Sequence, residues 1–194
     1  DVCSSDLNQD HKKPIKPFFV MQTLIRVLSF FTLLPMGFKC KKIGMEKVAK
    51  KQPCLYLMNH SAFIDLQIAS KLLWPKRYSI IMTSDGFVGK NLLMKTIGCI
   101  PTQKFVSDSV LVRDIFHTVK KNNTSVLLYP EASYSFDGTA TTLPESLGKL
   151  IKKLGIPVVI ALNKSDINEK KQTEIDTDTL SKALNCPVVE TVST

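Results

Sequence analysis

The chain has 194 residues, 44% hydrophobic and 22% charged, which is enough for one domain with a core and unlike a disordered segment. Its net charge of +9 is uneven, with 22 basic against 11 acidic residues up to Gly155 and 4 against 6 from Ile156 onward. A basic body suits an anionic lipid surface or a phosphorylated substrate. No helix-turn-helix, zinc-finger or RNP-like aromatic pattern accompanies it, so nucleic acid is not the expected partner.

The first seven residues, Asp1 to Leu7, lack an initiating Met. They resemble the translation of a sequencing-library adapter and are read as a processing scar. Residues 8–38 form an N-terminal segment dominated by the apolar run from Phe18 to Pro35. A spanning helix needs about 20 apolar residues. This run barely reaches that length and contains Gln22 and Arg26, while Lys12, Lys13, Lys16, Lys39, Lys41 and Lys42 flank it. The expectation is a helix lying in the membrane interface with its basic flanks on anionic headgroups. A buried core helix and a single transmembrane span are the alternatives.

Beyond it, strands and helices alternate. Cys54–Met58 reads as a strand, Ala62–Leu73 as a helix stopped by Trp74-Pro75, and Tyr78–Met82 as a strand. Phe87–Ile97 reads as a helix closed by Gly98. Ser107 or Asp108 can cap a helix running through Lys121, with Val112, Ile115, Phe116 and Val119 on one face. Ser125–Tyr129 is a strand, Pro144 opens a helix that Gly155 ends, and Pro157–Leu162 is a further strand. The order implies an α/β layer fold. Five cysteines (Cys3, Cys40, Cys54, Cys99, Cys186) without a C-x-x-C pair argue against a disulfide framework or a zinc site and for a reducing, cytosolic setting.

The string from Asn59 to Asp65 carries an H-x-x-x-x-D pattern, His60 to Asp65, at an expected strand-to-helix junction. Inside a regular helix, residues five apart point about 140° from each other. The two side chains can therefore meet only if His60 precedes the helix and Asp65 lies in its first turn. A carboxylate on one imidazole nitrogen fixes the tautomer and leaves the other nitrogen as a general base for an alcohol. On this pattern alone, a helix-cap or core histidine is the plainer reading.

Three further blocks follow in order: Gly98 to Lys104, Leu128-Tyr129-Pro130-Glu131-Ala132-Ser133-Tyr134-Ser135, and Gly155-Ile156-Pro157-Val158-Val159. In order and spacing the four blocks resemble the lysophosphatidic acid acyltransferase family, over about residues 8–159 with the domain proper at 39–159. The resemblance implies a glycerolipid acyltransferase-like mixed sheet flanked by helices. It implies transfer of an acyl group from an acyl-CoA or acyl carrier protein thioester to the hydroxyl of a lysophospholipid. His60 is then the general base, Asp65 orients it, and Lys104, Glu131 and Ser133 bind substrate, with no metal, no cofactor and no covalent enzyme intermediate. The expected place is the cytoplasmic face of the cell membrane. The third block departs from the family's Phe-Pro-Glu-Gly-Thr-Arg-Ser, having Ala132 for Gly, Ser133 for Thr and Tyr134 for Arg, and Lys104 stands where Arg is commoner. The missing guanidinium leaves the acceptor open among lysophospholipids and glycolipids.

From Ile156 to Thr194 the chain resembles the end of the G domain of bacterial ferrous-iron transporters of the B type. Asn163, Lys164 and Asp166 form N-K-x-D, and Val192-Ser193-Thr194 fits the final guanine-contact loop. The sequence contains no G-x-x-x-x-G-K-[ST] phosphate loop, so this nucleotide-like motif is expected to be non-functional. The expectation is a join of two genes within Gly155–Val159, leaving a C-terminally truncated acyltransferase domain and a foreign segment at 160–194. A fragment of a GTP-binding transporter and an inactive lipid-surface protein are the competing functions.

Overall fold

The computed structural model describes residues 12–35, 38, 40–43, 52–60, 64–102, 109–130, 151, 154–163 and 175–193. Helix α1 spans Phe19–Leu33 and is followed by strand β1, Cys40–Ile43. Then come β2 (Leu55–Met58), α2 (Asp65–Leu72), β3 (Tyr78–Thr83), α3 (Asn91–Ile97), β4 (Cys99–Thr102), α4 (Ser109–Lys120) and β5 (Ser125–Leu128). The described chain closes with β6 (Val158–Asn163), α5 (Thr177–Leu184) and β7 (Val188–Ser193). The seven strands form one sheet in the order β1-β7-β6-β2-β5-β3-β4. Only β1 runs antiparallel, against β7. The expected mixed α/β sheet flanked by helices is thus present.

Strands β2 and β5 sit at the centre, where Leu55, Tyr56, Val126 and Leu127 are buried on both faces, as parallel strands covered by helices must be. One core layer packs Tyr56, Met58 and Leu127 against Ile68, Ala69 and Leu72 of α2. The other packs Leu55, Leu57 and Val126 against Ile115 and Val119 of α4. The apolar stripe read along α4 therefore faces the sheet, with Phe116 half exposed beside it.

The helix expected over Phe87–Ile97 is shorter. Ser84–Phe87 forms a 3₁₀ turn, Phe87 drops into the core, and α3 starts only at Asn91. Gly89, with φ +71°, turns the chain between the two. The stop at Gly98 is where the sequence places it, with φ +101°. A Cβ there would stand 2.4 Å from Pro17 Cγ, so glycine is required both by conformation and by close approach of the N-terminal segment.

Helix α1 turns part of its polar side inward, with Thr32 left exposed. Gln22 and Ser29 are buried, while Phe19, Val20, Leu24, Val27, Leu28, Phe30 and Phe31 are exposed. Gln22 donates through Nε2 to the Tyr78 carbonyl and to the Ile97 carbonyl at 3.4 Å, tying α1 to β3 and α3. Arg26 donates to the Lys76 carbonyl and lies over the Trp74 ring, 4.8 Å from its centroid. Burial holds the Arg26 guanidinium below its ordinary range. Most of the large apolar side chains of α1 thus lie outside the core, with Leu33 buried. No helix among the described residues is long and apolar enough to cross a membrane.

Candidate active site

Strands β2, β3, β4, β5, β6 and β7 all point the same way, so their C-terminal ends share one edge of the sheet. In open α/β sheets that edge is where ligands bind. His60 leaves β2 there, two residues past Met58, and Asp65 opens α2 directly afterwards. The expected placement, histidine before the helix and carboxylate in its first turn, is realised. His60 Nδ1 and Asp65 Oδ2 lie 3.0 Å apart.

Asp65 is fully buried and the His60 side chain is 18% exposed. A buried carboxylate must be hydrogen-bonded, and the N-terminal turn of a helix favours its charge. A carboxylate only accepts, so Nδ1 is the donor in this contact, and in a neutral imidazole that tautomer makes Nε2 the acceptor. Helix α2 is itself fixed: Ile68, Ala69 and Leu72 are buried, and Ser70 and Tyr78 share a buried hydroxyl pair at 2.7 Å between α2 and β3. Burial and the Ser70 contact act in opposite directions on Tyr78, and burial wins, so its phenol stays protonated and can donate.

Sequence reasoning gave no role to Tyr129, although it lies inside the third block. It follows β5, whose Leu128 pairs with Leu57 of β2, and so it arrives beside His60. The two rings stack with centroids 4.2 Å apart and planes 23° from parallel. The Tyr129 hydroxyl donates to the Asp65 carbonyl at 3.2 Å. An aromatic residue next to the proline of the block is the one signal that could have raised it.

Lys104, Glu131, Ser133, Lys164 and Asp166 lie outside the described residues, and of Asn163 only the backbone, at the end of β6, is described. Of the predicted site residues whose side chains are described, His60 and Asp65, the structure brings both together. No cluster of His, Cys, Asp and Glu suited to a metal ion occurs among the described residues. Cys54 and Cys99 are buried, and burial pushes both thiols up, Cys99 to about 11. Neither holds much of the thiolate that attacks an acyl group at neutral pH.

The fold is thus a mostly parallel α/β sheet with an imidazole–carboxylate pair at its carboxyl edge. The solved 1-acyl-sn-glycerophosphate (LPA) acyltransferase PlsC from Thermotoga maritima superposes with a TM-score of 0.54 at 16% identity. The match covers 71% of this chain and 55% of that one, and it supports the fold. The family model described as Acyltransferase matches residues 39–161, and the chain belongs to that family.

A second family model, Ferrous iron transport protein B, matches residues 145–194 and so overlaps the first on 145–161. The Fe(2+) transporter FeoB of Salmonella typhimurium is 60% identical over 42 residues, and that of Escherichia coli K12 is 52% identical over 42. Each alignment covers 22% of this chain but 5% of the transporter. The C-terminal segment is thus FeoB-like, as its N-K-x-D string suggested.

Proposed function

We propose that the chain transfers a fatty acyl group from an acyl-CoA or acyl carrier protein thioester to the hydroxyl of a lysophospholipid such as lysophosphatidic acid. The observation that carries this is the 3.0 Å contact between His60 Nδ1 and Asp65 Oδ2 at the carboxyl edge of the sheet. In the reaction, His60 Nε2 takes the proton of the acceptor hydroxyl as its oxygen attacks the thioester carbonyl. Asp65 holds the ring and stabilises the imidazolium. The tetrahedral adduct collapses to an ester, and the thiol leaves with the proton. Lys104 would pair with the acceptor phosphate, and Glu131 and Ser133 would position the acceptor. The FeoB-like segment at 160–194 is read as foreign and contributes no nucleotide chemistry, the phosphate loop being absent from the sequence.

An acceptor screen tests this reading. Thiol release from palmitoyl-CoA and from palmitoyl-acyl carrier protein is expected only with a lysophospholipid or lysoglycolipid present. Thioester hydrolysis with no acceptor dependence would sink it. Vesicle binding without turnover on any acceptor would replace it with a lipid-surface protein.

We further propose that the protein sits peripherally on the cytoplasmic face of the cell membrane through α1. Its outward row of Phe19, Val20, Leu24, Val27, Leu28 and Phe31, with exposed Lys12, Lys13 and Lys16 ahead of it, has the chemistry of an interfacial helix. A groove between α1 and α2, lined by Arg26, Val27, Phe30, Phe31, Lys71 and Trp74, continues that apolar face. The chain is expected to sediment with phosphatidylglycerol vesicles, less so at 0.5 M salt. Leu24→Glu with Phe31→Glu should reduce binding by about a hundredfold or more, given about 1.5–3 kcal/mol per apolar side chain buried. Unchanged sedimentation of that variant would exclude α1 as the docking element.

A further inference from the structure

We propose that Tyr129 is a positioning residue for His60: its ring clamps the imidazole in the orientation that faces Nδ1 to Asp65, and its face favours the imidazolium formed when Nε2 takes a proton. The proposal rests on the acyltransferase reading for its catalytic consequence, but not for its geometry.

The hydrogen bond to Asp65 fixes one edge of the imidazole. A stack at 4.2 Å and 23° restricts the ring plane, because a tilt of the imidazole toward Tyr129 would drive it into the tyrosine face. The clamp is anchored from two directions. Its backbone leaves β5 one residue past a strand paired to β2, and its hydroxyl is tied at 3.2 Å to the carbonyl of Asp65 itself. Tyr129 therefore moves with both members of the pair. An aromatic face carries negative charge density, so it attracts the imidazolium more than the neutral ring. The stack thus stabilises the proton-accepted state in which the acceptor oxygen attacks, and contributes little to holding either substrate.

The ring and the hydroxyl make separable contributions. Tyr129→Phe keeps the stack and loses the bond to the Asp65 carbonyl. Tyr129→Leu and Tyr129→Met fill space without a ring, and either suffices if the other does not fold.

The test uses the full chain with labelled histidine and reads His60 by nuclear magnetic resonance, with His60→Ala assigning its signals. In the native protein the His60 ring protons are expected upfield of free histidine, under the tyrosine ring current. The ring nitrogens should report the tautomer with hydrogen on Nδ1. Tyr129→Phe should keep both signatures; Tyr129→Leu or Tyr129→Met should lose the upfield shift and mix the tautomers. In turnover, the leucine or methionine variant should lower kcat about tenfold with KM for donor and acceptor within about twofold, and Tyr129→Phe should restore most of kcat. Unshifted His60 protons in the native protein would overturn the proposal. So would an unaltered tautomer and kcat in Tyr129→Leu or Tyr129→Met, or a loss confined to KM. If the resonance signatures appear but no acceptor supports turnover, the clamp stands and the acyltransferase reading falls.

Discussion

His60→Ala is expected to lower kcat for acyl transfer by about a thousandfold or more, with KM for the thioester little changed. The imidazole makes its decisive interaction with a proton that moves only in the transition state, so its removal should leave ground-state binding intact. Asp65→Asn should cost nearly as much, for a different reason. An amide can donate its N–H to Nδ1, which selects the tautomer with hydrogen on Nε2 and leaves no lone pair facing the acceptor. The same logic predicts strong non-additivity: the double variant should be no slower than His60→Ala alone. The fold should survive in both, because Asn keeps the shape of Asp65 and His60 lies at the rim. Steady-state kinetics on a responsive acceptor decides it. Full activity in His60→Ala would remove the pair from the mechanism, and a KM-only effect would reassign it to binding.

Local geometry was the legible part of this site. A histidine at the end of an apolar strand and an aspartate five residues on, with a helix between them and Trp74, leave few arrangements, and the one that lets them touch is found. Tyr129 was not legible because its contact depends on β5 lying beside β2, a pairing between distant stretches of chain that no local pattern encodes. Strand β1 was missed for a related reason. Cys40-Lys41-Lys42-Ile43 is short and half basic, as a sheet edge should be, and it takes its strand form from β7, which lies at the far end of the chain. In α1, polar residues within an apolar run looked like a cost to membrane insertion. The structure shows what they do instead: Gln22 and Arg26 satisfy carbonyls at the ends of β3 and α3 and beyond α2, and the apolar residues are what remains outside.

The FeoB-like segment would be expected to hang from the acyltransferase domain as a dispensable tail, but its strand is not at the sheet edge. Strand β7 lies between β1 and β6, and it pairs with both. Strand β6 is the hinge of this arrangement: it belongs to both family matches in its first residues, pairs with β2 through Leu55–Met58, and hands the sheet on to β7. Val189 is 2% exposed and packs in the same core layer as Tyr56, Met58 and Leu127, the layer directly beneath the exit to His60. Val189→Asp would place an unpaired carboxylate there and forfeit the valine's burial, a cost of about 4 kcal/mol or more against a typical total stability of about 5–15. Val189→Ala should cost about 2 kcal/mol, by loss of packing alone. Both are read from the urea midpoint, and the aspartate variant is expected to be largely unfolded or to lose acyl transfer together with its fold. If the midpoint and the activity of Val189→Asp match the native protein, then β7 is not part of the working core and the acyltransferase sheet ends at β6. If they fall together, the FeoB-like strand β7 is a structural part of the acyltransferase sheet, buried through Val189.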